Sequence, residues 1–179
     1  MGCPYSKTTS YWLVGEARIS HIGLGMVMRW PFYHRLGAGM MRVKISENLD
    51  DLSGLIEEIK GVSNEVGAII VFVGVVRGLS SEGERVLRLE YEAYEEQAAK
   101  KLENIIAELK GKYGIIDAIV EHRVGVANVG ENTVYALVAS KHREEGFKSI
   151  IELIERLKHE VPIWKKEVTE RGSRWIEST

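Results

Sequence analysis

Hydrophobic and polar positions fall into a regular order only from Met41 onward. Arg42-Val43-Lys44-Ile45 alternates and predicts a short strand. Leu49, Leu52, Leu55, Ile56 and Ile59 recur at helical spacing, and Gly61 ends that helix. Ala68 to Val76 is an unbroken apolar, β-branched run, which predicts a central buried strand. Gly78 to Gly83 reads as a polar loop. Leu87, Leu89 and Tyr91 then alternate with Arg88, Glu90 and Glu92, the pattern of a half-buried strand. Ala98, Leu102, Ile105, Ile106 and Leu109 predict a second helix, stopped near Gly111 and Gly114. Ile115 to Val124 and Thr133 to Ser140 read as two further strands, joined by a Gly-bearing loop at Gly125 to Gly130. A third helix runs from about Glu144 to Glu160, and Pro162 prevents its smooth continuation. The order β-α-β-β-α-β-β-α with a short tail predicts an α+β fold with a mixed or mainly antiparallel sheet.

Residues 1–40 follow no sustained period. They are rich in Gly, Ser, aromatics and Met, and Glu16 is their one acid. Two readings of this stretch stand side by side: an N-terminal extension, or a start codon placed too early, with Met40 or Met41 the true start. Its longest apolar stretch is broken by Gly23, Gly25, Arg29 and Pro31, well short of the roughly 20 residues of a membrane span. Met1 to Ser6 fits the loose M-G-x-x-x-[ST] acylation pattern, which chance produces often.

The remaining 41–179 is one domain's worth of chain. With 45% hydrophobic residues and a net charge of -2, wholesale disorder and bulk nucleic-acid binding are both disfavoured. The single cysteine, Cys3, permits no internal disulfide and no CxxC zinc pair. A reducing, cytoplasmic compartment is the expectation, and any sulfur chemistry must draw its sulfur from elsewhere. No H-x-x-x-H pattern, Walker A or G-x-S-x-G elbow is present, so no metal and no cofactor are expected.

Candidate chemistry gathers in the C-terminal half. At about 100° per residue, Lys158 falls on the apolar arc of the third helix, in line with Phe147, Ile151 and Ile154. A lysine there either snorkels at a helix end or is held in the mouth of a cleft, where desolvation favours its neutral form. His142 and Arg143 lie between a strand and a helix N-terminus, a setting suited to anions such as phosphate and equally to an exposed strand end. Beyond the helix, Pro162 redirects the chain and Trp164 is expected to anchor it in the core, aiming Lys165 back toward Lys158. Arg77 closes the predicted buried strand beside Gly78. His122, next to Arg123 on a strand, reads as structural.

Five segments in order carry a family likeness: Gly67 to Arg77, Leu89 to Tyr94, His122 to Gly125, Ser140 to Arg143, and Leu157 to Glu167. Together they resemble the large, catalytic subunit of molybdopterin synthase, over about residues 41–177. The resemblance implies an α/β hammerhead fold with an added antiparallel β subdomain. It implies a sulfurtransferase of molybdenum cofactor biosynthesis that adds two sulfurs to a cyclic pyranopterin monophosphate. The sulfur would come from the C-terminal Gly-Gly thiocarboxylate of a small ubiquitin-like sulfur-carrier subunit. A homodimer within a heterotetramer is implied, with no nucleic acid and no membrane involved. Carried over by position, Lys158 and Lys165 would be catalytic. Phe72, Val75, Val76, Arg77, His142, Arg143, Lys166 and Glu167 would join them in binding substrate. Family members often have Lys where this chain has Val75. Two rivals make different demands: a partner-binding module would lack the pocket chemistry, and an RNA-binding α+β domain would show exposed aromatics on its strands.

Overall fold

The computed structural model describes residues 42–176. The expectations for residues 1–40, including Cys3 and the acylation pattern, lie outside the described residues. Eight strands and three helices follow in the order β1 (Arg42–Ser46), α1 (Leu52–Lys60), β2 (Ala68–Val75), β3 (Val86–Ala93), α2 (Glu95–Tyr113), β4 (Asp117–Arg123), β5 (Gly125–Asn128), β6 (Asn132–Ser140), α3 (Arg143–Glu160), β7 (Ile163–Thr169) and β8 (Gly172–Ile176).

Local signals account for the helix ends. The Asp51 carboxylate caps α1 by accepting the Gly54 N–H at 2.8 Å. Glu95 and Glu96 open α2 while Lys110 and Lys112 close it, each matching the sign of the helix dipole. α2 runs through Gly111 and stops at Gly114.

The larger sheet has strand order β1-β4-β6-β2. β1 and β4 are parallel, whereas β4–β6 and β6–β2 are antiparallel. Alternation along β4 and β6 sends side chains to two cores. Val120, Ala136 and Val138 face Leu102, Ile105 and Ile106 of α2 and Leu153 and Leu157 of α3. Ile119 and Leu137 face Leu55 and Ile59 of α1 on the other side. The smaller sheet, β5-β3-β7-β8, is antiparallel throughout. A third cluster of Val76, Val86 and Ala127, with Leu89 and Tyr91 against it, links the two sheets. Gly125, at φ 79°, lets the chain turn from β4 into β5 in a conformation that L side chains rarely adopt.

The α+β class and mainly antiparallel pairing agree with the sequence expectation. Four details differ. The predicted loop at Gly125 to Gly130 contains β5, and the predicted tail folds into β7 and β8. β2 is an edge strand rather than a central one, and Val71, Phe72 and Val75 are exposed. Its unbroken apolar run therefore reflects surface with no covering partner among the described residues. On α3 the predicted apolar arc splits. Ile150, Leu153, Ile154 and Leu157 are buried, but Phe147 and Ile151 are 51% and 65% exposed. Among the described residues no helix is long and apolar enough to cross a membrane.

Candidate active site

β7 decides which side chains can act together. Its residues alternate between the two faces of the smaller sheet. Lys165 stands directly opposite Tyr91 of β3, on the face turned toward the larger sheet. Trp164 and Lys166 point to the outer face, opposite Glu92 and Glu90. Lys166 pairs there with Glu90 at 3.4 Å. Trp164 is 46% exposed and packs edge-on against Tyr94, with ring centroids 5.2 Å apart. It does not anchor the chain in the core, as the sequence suggested. Strand alternation is what turns Lys165 inward.

Lys165 is half-buried. Burial pulls its ammonium below the ordinary lysine range; Glu167 opposes this, and the charges of Arg77 and Lys158 add to the fall. The same relationships place Arg77, Lys158 and Glu167 around Lys165. Glu167, two residues along β7 on Lys165's face, is held by Arg174 at 3.2 Å.

Lys158 is about half exposed, not buried, and meets Glu155 at 3.5 Å. It shares its side of α3 with the exposed Phe147 and Ile151, and its half exposure fits both the helix-end and the cleft-mouth reading. That cleft exists: a groove of about 350 Å³ is lined by Lys158, His159, Val161, Ile163, Trp164, Trp175 and Ile176. One wall is the end of α3 and the other is the β7–β8 hairpin.

Arg77 follows β2 and is exposed. Val75 and Phe72, on β2, are exposed too, while Val76 is 2% exposed inside the inter-sheet cluster, leaving only its backbone for a ligand.

His142 and Arg143 lie elsewhere. They are exposed at the N-terminus of α3, where His142 is the N-cap. The 15 residues from Arg143 to Lys158 span roughly 22 Å of helix. Within one chain, therefore, the structure brings together Lys158, Lys165, Arg77 and Glu167, and leaves His142 and Arg143 at the far end of α3. Gly146 seats that end on the sheet: a Cβ there would lie 2.8 Å from both Ile70 Cγ1 and Ser140 Oγ.

Four residues near the lysines were not assigned a role from pattern. Trp175 is an exposed aromatic lining the groove, Tyr94 is an exposed one packed on Trp164, and Tyr91 and His122 pack behind Lys165. Tyr91 and Tyr94 stand in the Leu89 to Tyr94 segment that carries the family likeness, and His122 in the next one. Their order along the chain was a signal, but their convergence depends on the sheet pairing. Among the described residues no three His, Cys, Asp or Glu side chains gather as a metal site.

Comparison with known proteins bears on this geometry. The family model described as MoaE protein matches residues 45–160. A molybdopterin synthase catalytic subunit from Pyrococcus abyssi is 43% identical over 115 residues, 64% of this chain and 77% of the relative. The protein of the same name from Bacillus subtilis is 40% identical over 137 residues, 76% of this chain and 85% of the relative. The crystal structure of molybdopterin synthase from Staphylococcus aureus superposes with a TM-score of 0.67 at 36% identity, over 74% of this chain and 94% of that one. With a family model spanning more than half its length and relatives matched along most of theirs, this chain belongs to the MoaE protein family.

Proposed function

We propose that the chain is the catalytic subunit of a molybdopterin synthase, acting through residues 41–179. It transfers sulfur from the thiocarboxylated C-terminus of a small ubiquitin-like subunit to cyclic pyranopterin monophosphate, forming the dithiolene. The observation that carries this reading is Lys165: a half-buried lysine whose proton is loosened by burial, Arg77 and Lys158, the last of which lines a groove. Such a lysine suits proton transfer near neutral pH better than an ordinary surface lysine does. Lys158 at the groove mouth offers a cation to a carboxylate-like chain end and to oxyanions formed there. The groove's two tryptophans, on a wall of strand, suit an extended peptide tail more than a compact metabolite.

Substrate phosphate binding calls on Arg77, His142 and Arg143, which one chain holds apart. A second copy supplies the missing half. Val71, Phe72 and Val75 on the β2 edge and Phe147 and Ile151 on α3 are exposed apolar side chains, of the kind a self-association would cover. β2 begins beside Ser140, near His142, and ends near Arg77. A two-fold axis across this edge runs each β2 and α3 antiparallel to its mate. His142 and Arg143 of one copy then approach Lys158 and Arg77 of the other. Phe72 and Val75 line the seam, and Glu167 orders the inner wall. Lys166 contributes its backbone, its side chain being engaged on the outer face. The site needs no metal or cofactor, and the reaction belongs in the cytoplasm, where the carrier's thiocarboxylate survives.

The test is direct. The purified chain is mixed with thiocarboxylated small subunit and cyclic pyranopterin monophosphate, and dithiolene product is sought. Product with the wild type and its loss with Lys158→Ala are expected; no product from the complete mixture would refute the reading.

A further inference from the structure

His122 is the most deeply placed histidine in the described structure, and nothing above assigns it a task. It sits near the end of β4, 5% exposed, where the larger sheet meets the smaller one. Its Nδ1 lies 2.8 Å from the Arg123 carbonyl oxygen, which can only accept. Nδ1 therefore carries the proton and donates it, and the neutral ring is complete. The Tyr91 ring packs edge-on against it, with centroids 5.1 Å apart at 75°. The Thr133 side chain, near the start of β6, lies beside the Tyr91 phenol. Tyr91 is also the residue directly opposite Lys165, and opposed pairs on one face of an antiparallel sheet stand side by side.

We propose that His122, backed by Tyr91, is a positioning residue for Lys165: an uncharged ring that walls the inner side of the lysine from water and counter-charge. The inference rests on the reading of Lys165 as the reactive lysine. The charged groups facing Lys165 are Arg77 after β2, Lys158 from α3 and Glu167 from its own strand. Glu167 is the lone carboxylate among these and is already held by Arg174. From β4 and β3 come only the imidazole and the phenol. A water-filled space in their place would solvate the ammonium and return it to ordinary behaviour. Burial pulls His122 down to about 4, against the Arg123 bond and with the help of Lys165's charge, so the ring stays neutral wherever Lys165 exchanges protons.

Two substitutions separate the ring from its hydrogen bond. His122→Asn keeps a donor for the Arg123 carbonyl but removes ring bulk; His122→Phe keeps the bulk and loses the donor. The titration of Lys165 is followed by pH-dependent acetic anhydride labelling of the full chain, read by peptide mass spectrometry. The expected result is a Lys165 midpoint about one pH unit higher in His122→Asn and within a few tenths of wild type in His122→Phe. An unmoved midpoint in His122→Asn, or a rise as large in His122→Phe, overturns the proposal. Should His122→Asn not fold, Tyr91→Leu carries the test, with the same rise expected and an unmoved midpoint overturning it. In the sulfur-transfer assay the raised midpoint appears as an upward shift of the pH profile of kcat with KM unchanged. Labelling needs neither partner nor substrate, so a chain that forms no dithiolene refutes the functional reading and leaves this measurement standing.

Discussion

Arg143 opens α3 and Lys158 lies in its last turn, so two cations of one proposed site stand at opposite ends of a single helix. If two copies complete each site, Arg143→Ala and Lys158→Ala fail on different halves. Each variant alone is expected to be nearly inactive. Mixed and reassociated, half of the dimers carry one intact site, and activity returns to about a quarter of wild type. A steady-state assay on the mixture, against each variant alone, checks this. No recovery would place both residues in one chain's site.

The apolar strip on α3 makes a separate prediction. Ile151 is 65% exposed, so Ile151→Glu leaves the fold of a single chain within about 0.5 kcal/mol of wild type. Buried in a self-association, the same carboxylate is costly. Sedimentation velocity is expected to show a dimer for the wild type and a monomer for Ile151→Glu, with activity lost in parallel. Thermal melting keeps the comparison honest by reporting an intact chain.

Lys165 and Lys166 are neighbours with opposite expectations. Lys165→Ala removes the desolvated amine and is expected to lower kcat/KM by roughly 10²–10⁴-fold. Lys166→Ala loses a half-exposed pair with Glu90 and is expected to change kcat/KM only a few-fold. Kinetics on the two variants, side by side, decide the matter.

His122 ties stability to pH. Its folded value of about 4 lies below the ordinary 6.5, so the unfolded chain takes up a proton in that window and the folded chain does not. Stability from this group is full above pH 6.5 and is lost as pH falls toward 4, by roughly 3 kcal/mol in all. Urea unfolding at pH 7.5 and pH 5 is expected to show the drop. His122→Phe, which cannot titrate, flattens that part of the curve.

Gly146 is a packing requirement. Ile70 and Ser140 each stand 2.8 Å from where a Cβ would be, so Gly146→Ala forces α3 off the sheet at the end carrying His142 and Arg143. A destabilisation of about 1–3 kcal/mol is expected from denaturant melts.

Much of this was legible in the chain. The three helices and most strands follow from apolar spacing, because β4, β6, α2 and α3 bury continuous stripes in one core. The residues around Lys165 were legible one at a time, as cations at element ends. What periodicity could not convey was which ends meet. An apolar run reads alike whether its cover is another strand or another molecule, so β2 was placed centrally. The wide arc on α3 has the same cause: Phe147 and Ile151 are apolar, but the described residues give them nothing to face. β7 and β8 are half-exposed and rich in charge, so they carry no strong apolar period. His122 was passed over because a lone buried histidine is ordinary until Tyr91 and Lys165 are seen beside it.

Two chemically identical side chains, Lys165 and Lys166, are told apart solely by which way a pleat turns. Deleting one residue between Pro162 and Lys165 would exchange their faces, bringing Lys166 opposite Tyr91 and sending Lys165 to the outer face opposite Glu92, with local charge unchanged. Which lysine faces Tyr91 is thus stored as parity, counted along β7 from the proline, and not in any property of the lysine itself.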